Sequence, residues 1–279
     1  NIASVTSDVQ AVTVDLDGKT LTADLDISGM DLASSSQYVN VTVNDPYTLT
    51  LSATQAATAN VTGTGTVKLV GTSGTVTNAT FGLTETAGGN ADVINATKVV
   101  VVAAQNMTVS AALTNVTGFE VLPGATLSVA PAAVSGKSVT GEGGLVATLD
   151  TTPFDFSGIA STVQATGVVS SSITLNAAAN LGGLDSVTVN DARTLQLSAS
   201  QATERVINAL GTGNITVRSA TATTAYDFGG LSKVDGTVIV KYTTGGELNE
   251  ATNLGIAEVD IYWWQTLIVS ATQIDRLTI

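Results

Sequence analysis

The sequence has no cysteine and no histidine. Without a thiol it has no disulfide, no thiolate metal site and no Cys nucleophile; without an imidazole it has no Ser-His-Asp triad and no His-ligated zinc. Charge is scarce and one-sided: 10 basic residues against 23 acidic ones give a formal net charge of -13. That excess argues against nucleic acid, whose backbone is bound by Lys and Arg. Aromatics are 4% of the chain and prolines number 4. The longest apolar run, Val99 to Ala104, is far short of the roughly 20 residues a membrane-spanning helix needs.

What is abundant points one way. Of 279 residues, 45 are Thr and 35 are Val. Both are stiff at χ1 and suit the pleated, half-buried surface of a sheet. The shortage of Glu, Lys and Arg disfavours long surface helices. An almost all-β protein is expected, with too much Val, Leu and Ile for disorder. The chain opens on Asn1 and closes on Ile279 within a strand-like pattern. The expectation is one section, 1–279, of a longer exported protein, a leader or a longer N-terminal region having been removed.

Self-comparison organises the chain. Val41-Thr-Val-Asn-Asp-Pro-Tyr-Thr-Leu-Thr-Leu-Ser-Ala-Thr-Gln55 returns as Val187-Thr-Val-Asn-Asp-Ala-Arg-Thr-Leu-Gln-Leu-Ser-Ala-Ser-Gln201. A third copy runs Val259-Asp-Ile-Tyr-Trp-Trp-Gln-Thr-Leu-Ile-Val-Ser-Ala-Thr-Gln273, at about half the first offset. Weaker echoes begin at Asn106, Thr126 and Ser172. Within a copy, Val41, Val43, Leu49 and Leu51 alternate with polar residues, so one face points inward. Neighbouring bursts are mostly separated by roughly 18 to roughly 29 residues, the length of one coil of a β-solenoid. About twelve coils at about 4.8 Å spacing predict a rod near ~55 Å long. The alternative is a string of Ig-like sandwiches. The step from Val187 to Val259 is short for one, and Trp occurs only at 263 and 264.

Several residues are candidates for chemistry. Asp15, Asp17, Asp24 and Asp26 pair carboxylates at i and i+2, a hard-oxygen set suited to calcium; hairpin acids in solvent are the better explanation, since only four acids are close in sequence where about seven oxygens must converge. Asn44-Asp45 and Asn190-Asp191 are turn residues or repeated ligands. Tyr262-Trp263-Trp264 stands where the other copies are polar, and marks a contact with a sugar, a neighbouring subunit or a following domain. Seven Asn-x-Thr sequons, at Asn40, Asn60, Asn78, Asn95, Asn106, Asn115 and Asn214, are glycosylation acceptors only where the machinery exists. Asp15 with Asp17, or Asp150 with Asp155, are the carboxylate pairs a glycosidase would use. Thr20-Leu-Thr22 and Thr48-Leu-Thr50 fit an ice-binding file, which Thr194-Leu-Gln196 and Thr266-Leu-Ile268 break.

The strings Thr48-Leu-Thr-Leu-Ser-Ala-Thr-Gln-Ala56 and Thr194-Leu-Gln-Leu-Ser-Ala-Ser-Gln-Ala202 resemble repeats of large bacterial surface-layer proteins and type I secreted adhesins. The motif covers about a third of the chain. The resemblance implies export, β-rich repeats, a structural role at the cell surface, and calcium. The chain departs from the calcium nonapeptide, however: its nearest string is Gly88-Gly89-Asn90-Ala91-Asp92. The expected function is a non-enzymatic surface-layer or filament component that self-associates by stacking solenoid coils. An adhesin stalk or glycan-binding module and a polysaccharide-degrading β-helix enzyme are the alternatives.

Overall fold

The computed structural model describes residues 18–30, 40–83, 94–270 and 273. The protein is all-β, its parallel sheets stacked as a β-solenoid of about twelve turns. Parallel pairing is what a coil produces when each strand lies on its counterpart one turn later. Every described strand pair is parallel, which removes the sandwich alternative, an antiparallel architecture.

Contacts divide the chain into two compact units, 1–129 with 137–145, and 130–136 with 146–279. In the first unit one sheet runs in the order Lys19–Thr20, Asn40–Thr42, Asn60–Val70, Ile94–Ala103, Gly118–Val121 and Ser138–Gly141. Its inward positions form apolar columns: Leu51, Leu69, Val101, Phe119 and Val139 follow one another in register, each at most 1% exposed. A fully buried side chain of this kind contributes about 1.5–3 kcal/mol. The columns explain the bias toward Val and Leu, since every coil meets the same steric environment.

Coil length follows from the register, and it is not constant. Thr48 pairs Thr66, Asn40 pairs Asn60 and Leu25 pairs Leu49, each step a little longer than the one before. One coil exceeds the expected range: Gly74 pairs Met107. The extra length holds a 3-10 turn, Asn78–Phe81, whose Phe81 is fully buried. Gly82 follows at φ +62°, and a Cβ there would lie 3.0 Å from the Ala57 Cα, beside the one-turn helix Ala53–Ala56. This turn is therefore packed onto the coil.

The second unit has two main sheets. One contains Gln164–Val169, Ser186–Val189, Ile207–Ala209 and Leu231–Lys233. The other contains Ile173–Thr174, Thr194–Ser198, Asn214–Ala220, Val238–Tyr242 and Glu258–Ile261. A small third sheet pairs Gly246–Glu247 with Leu267–Ile268. The two repeat copies in this unit occupy different sheets. The copy from Val187 has its first strand in the first sheet and its second in the next. The copy from Val259 begins in that next sheet, on Val238–Tyr242, and ends in the small one. The later copy is shifted by one sheet while keeping its strand-turn-strand form.

Candidate functional site

The repeats place two corners where side chains meet the neighbouring coil. The first is the Ser-Ala-x-Gln end of each copy. Ser52 caps the helix Ala53–Ala56: its hydroxyl accepts from the Gln55 N–H (3.3 Å), and its own N–H donates to Gln55 Oε1 (2.9 Å). This is a capping box. The amide then reaches across the coil boundary, where Gln55 Nε2 donates to the carbonyls of Ile27 (2.7 Å) and Met30 (2.9 Å). Gln201 repeats this with Ser198, Asn176 (2.8 Å) and Ala179 (2.9 Å). Gln273 does so with Ser270 and Asn249 (3.0 Å). All three glutamines are buried. Their role was missed in the sequence, although Ser-x-x-Gln is a recognisable cap and its Ser-Ala-x-Gln form appears three times.

The second corner is the turn between a copy's two strands. The N–H of Tyr47 donates to the Asn44 carbonyl (2.9 Å), that of Arg193 to Asn190 (3.1 Å), and that of Gln265 to Tyr262 (2.8 Å). Leu122 and Ala125 make the same turn without belonging to a strong copy (3.0 Å). Three of these turns are covered one coil later by Gly-x-Gly: Gly63-Thr-Gly65, Gly141-Glu-Gly143 and Gly211-Thr-Gly213. Gly63 sits at φ +116°, and a Cβ on it would lie 2.1 Å from the Val43 carbonyl oxygen. Glycine is demanded there by both backbone conformation and space.

The sequence-predicted acids fall into this framework. Asp191 Oδ1 accepts from the Thr212 N–H (2.8 Å) and hydroxyl (2.9 Å) of the covering coil. These bonds, the backbone one foremost, hold its pKa below the usual carboxylate range. Asp45 donates its N–H to Thr64 Oγ1 (3.2 Å) and pairs with Lys98 Nζ (3.1 Å). Asn44 and Asn190 contribute the turn carbonyls. Asp24 accepts from the Thr48 N–H (2.8 Å), and Asp26 closes a local turn on Ser28. Asp15 and Asp17 lie outside the described residues. Among the described residues no group of three or more acids gathers in metal-binding geometry. Asp150 and Asp155 each close a turn, on Thr152 and Ser157, and Asp155 also accepts from Asn180 Nδ2 (2.9 Å). The Asp155 pKa is lowered, first by the Ser157 N–H. Three sequon asparagines likewise tie coils together: Asn78 accepts from Thr114, Asn106 from Thr126 and Asn214 from Thr237.

The fourth turn differs. Tyr262, Trp263 and Trp264 are 47%, 90% and 59% exposed. Tyr262 and Trp264 stack at 4.8 Å and 12°, while Trp263 stands edge-on to Trp264 at 5.3 Å and 87°. The turn is anchored at its end by Gln265, whose Oε1 accepts from the Gly245 N–H. Every large exposed apolar side chain among the described residues lies between Val206 and Ile268 in the sequence. No family model, curated protein or solved structure matches the chain.

Proposed function

We propose that this chain is a structural section of a cell-surface or extracellular protein, a surface-layer or filament component that assembles through solenoid stacking. One observation carries the reading. Polar groups that recur with the repeat hold one coil to the next: the side chains of Gln55, Gln201 and Gln273 at one corner, and the Asp45 N–H on the Thr64 hydroxyl and the Asp191 carboxylate on Thr212 at the other. A protein organised this way works by its backbone ladders and its length, not by a reacting group. A terminal coil offers unpaired N–H and C=O groups to a further copy. The acidic surface keeps molecules apart laterally unless divalent cations such as calcium bridge them.

Negative-stain electron microscopy of the purified chain, with calcium and with chelator, tests the proposal. Filaments or sheets support it, and their loss on chelation assigns the lateral contacts to cations. Dispersed single particles in both conditions would overturn self-assembly. They would favour the second reading, a stalk that presents the exposed Tyr262, Trp263 and Trp264.

A further inference from the structure

The three-ring turn has a chemistry that the assembly reading does not use. The Tyr262–Trp264 stack and the edge-on Trp263 fix three rings on a hydrogen-bonded turn between paired strands. With Trp263 90% exposed, its indole faces are open. The rings project from an outward turn instead of lining a cleft, so a small apolar ligand would gain little enclosure. A flat ring face open to water suits a ligand that is apolar on one side and polar at its rim.

Charge narrows the choice. The chain carries -13 overall, yet the strand leading into the turn is locally neutralised. Asp260 pairs with Lys241 (3.1 Å) and Glu258 with Lys233 (3.2 Å). An anionic polymer would be repelled by the body of the molecule and meet no unpaired cation on this strand. A second copy brings another -13. An uncharged ligand meets neither obstacle. We propose that Tyr262, Trp263 and Trp264 form a binding platform for an uncharged polysaccharide, whose sugar rings lie on the indole faces. A chain of repeating sugars adds weak contacts across several copies of the platform, which a single exposed ring pair needs for useful affinity.

The test exploits a convenience of composition. Trp263 and Trp264 are the only 2 tryptophans, so all indole emission reports on the platform. The intact chain is titrated with hydroxyethylcellulose, dextran, mannan and glycol chitin, and run in native gels containing each polymer. A blue shift and retardation with at least one of them is expected. Trp263→Ala should weaken that binding about tenfold, the loss expected for one ring contact, while Trp263→Phe retains most of it. Far-UV circular dichroism confirms that both variants fold. No shift with any of the four polymers would overturn the proposal, as would binding that Trp263→Ala leaves unchanged. A blue shift that grows with protein concentration alone, alongside faster sedimentation, would also overturn it, because the occupant would then be a second copy. The multivalent gain rests on the assembly proposed above, which microscopy reads separately; failure of binding by an assembled chain leaves that structural proposal standing.

Discussion

The turns Asn190–Arg193 and Tyr262–Gln265 share a closing hydrogen bond but not a backbone: Ala192 sits at φ +56°, whereas its counterpart Trp264 stays outside the left-handed region. In both, the first residue's carbonyl accepts from the N–H three positions on. The earlier turn is polar and lies under Gly211-Thr-Gly213, with Asp191 held by Thr212. The later one is aromatic and exposed. The flanking strands and the carbonyl-to-amide closure are thus common to both turns, while the tips differ in side chains and in backbone. Where a coil covers the tip, those positions make coil-to-coil bonds. At the later turn they carry aromatic rings that are open to a partner.

The comparison can be broken most severely at a covering glycine. Gly63→Ala puts a Cβ 2.1 Å from the Val43 carbonyl oxygen at φ +116°. It should cost about 4 kcal/mol, combining backbone strain with overpacking, and denaturant unfolding measures it. An equal midpoint for mutant and parent would show that the cover is not tight. Next comes the glutamine corner. Gln201→Ala strands the Asn176 and Ala179 carbonyls and the Ser198 N–H. A loss of about 3 kcal/mol is expected, with Gln201→Glu also destabilising because it cannot donate.

A gentler change sharpens the contrast between the two tips. Giving the later turn the earlier one's residues, as Tyr262→Asn, Trp263→Asp and Trp264→Ala together, should move stability by no more than about 1 kcal/mol. A larger drop in melting temperature would mean that the rings are structural. The smallest effect is at Asp191. Its folded pKa is depressed, so its contribution is present above the unfolded value near ~3.9 and lost as pH falls through the folded one. Asp191→Asn should flatten that part of the acid limb of a pH–stability profile and leave the neutral region little changed. An unchanged acid limb would remove Asp191 from the account.

Much of this was legible in the sequence, for identifiable reasons. Period-two alternation and the three copies revealed the strands, and their spacing implied a coil, because both signals are local. Asn44-Asp45 and Asn190-Asp191 suggested turns from their own chemistry, and hydrogen-bonded turns close there. Their covering Thr64 and Thr212 did not, because they lie about a coil away and coil length varies. The step from Thr48 to Thr66 is far shorter than the step from Gly74 to Met107. The partner of Asp24 was hidden for the same reason: the Thr48 N–H that it accepts from belongs to the following coil. Phe81 and its insertion were hidden by residues that follow no period.

The displacement of the Val259 copy by one sheet has a further consequence. The inherited module is an arc of strand, turn and strand, smaller than a full revolution of the chain. Duplicating or deleting one arc would therefore rotate every later residue to a new side of the molecule without disturbing its neighbours' bonding. A lineage built on such arcs can redirect an exposed tip by changing copy number alone, with no substitution at the tip itself.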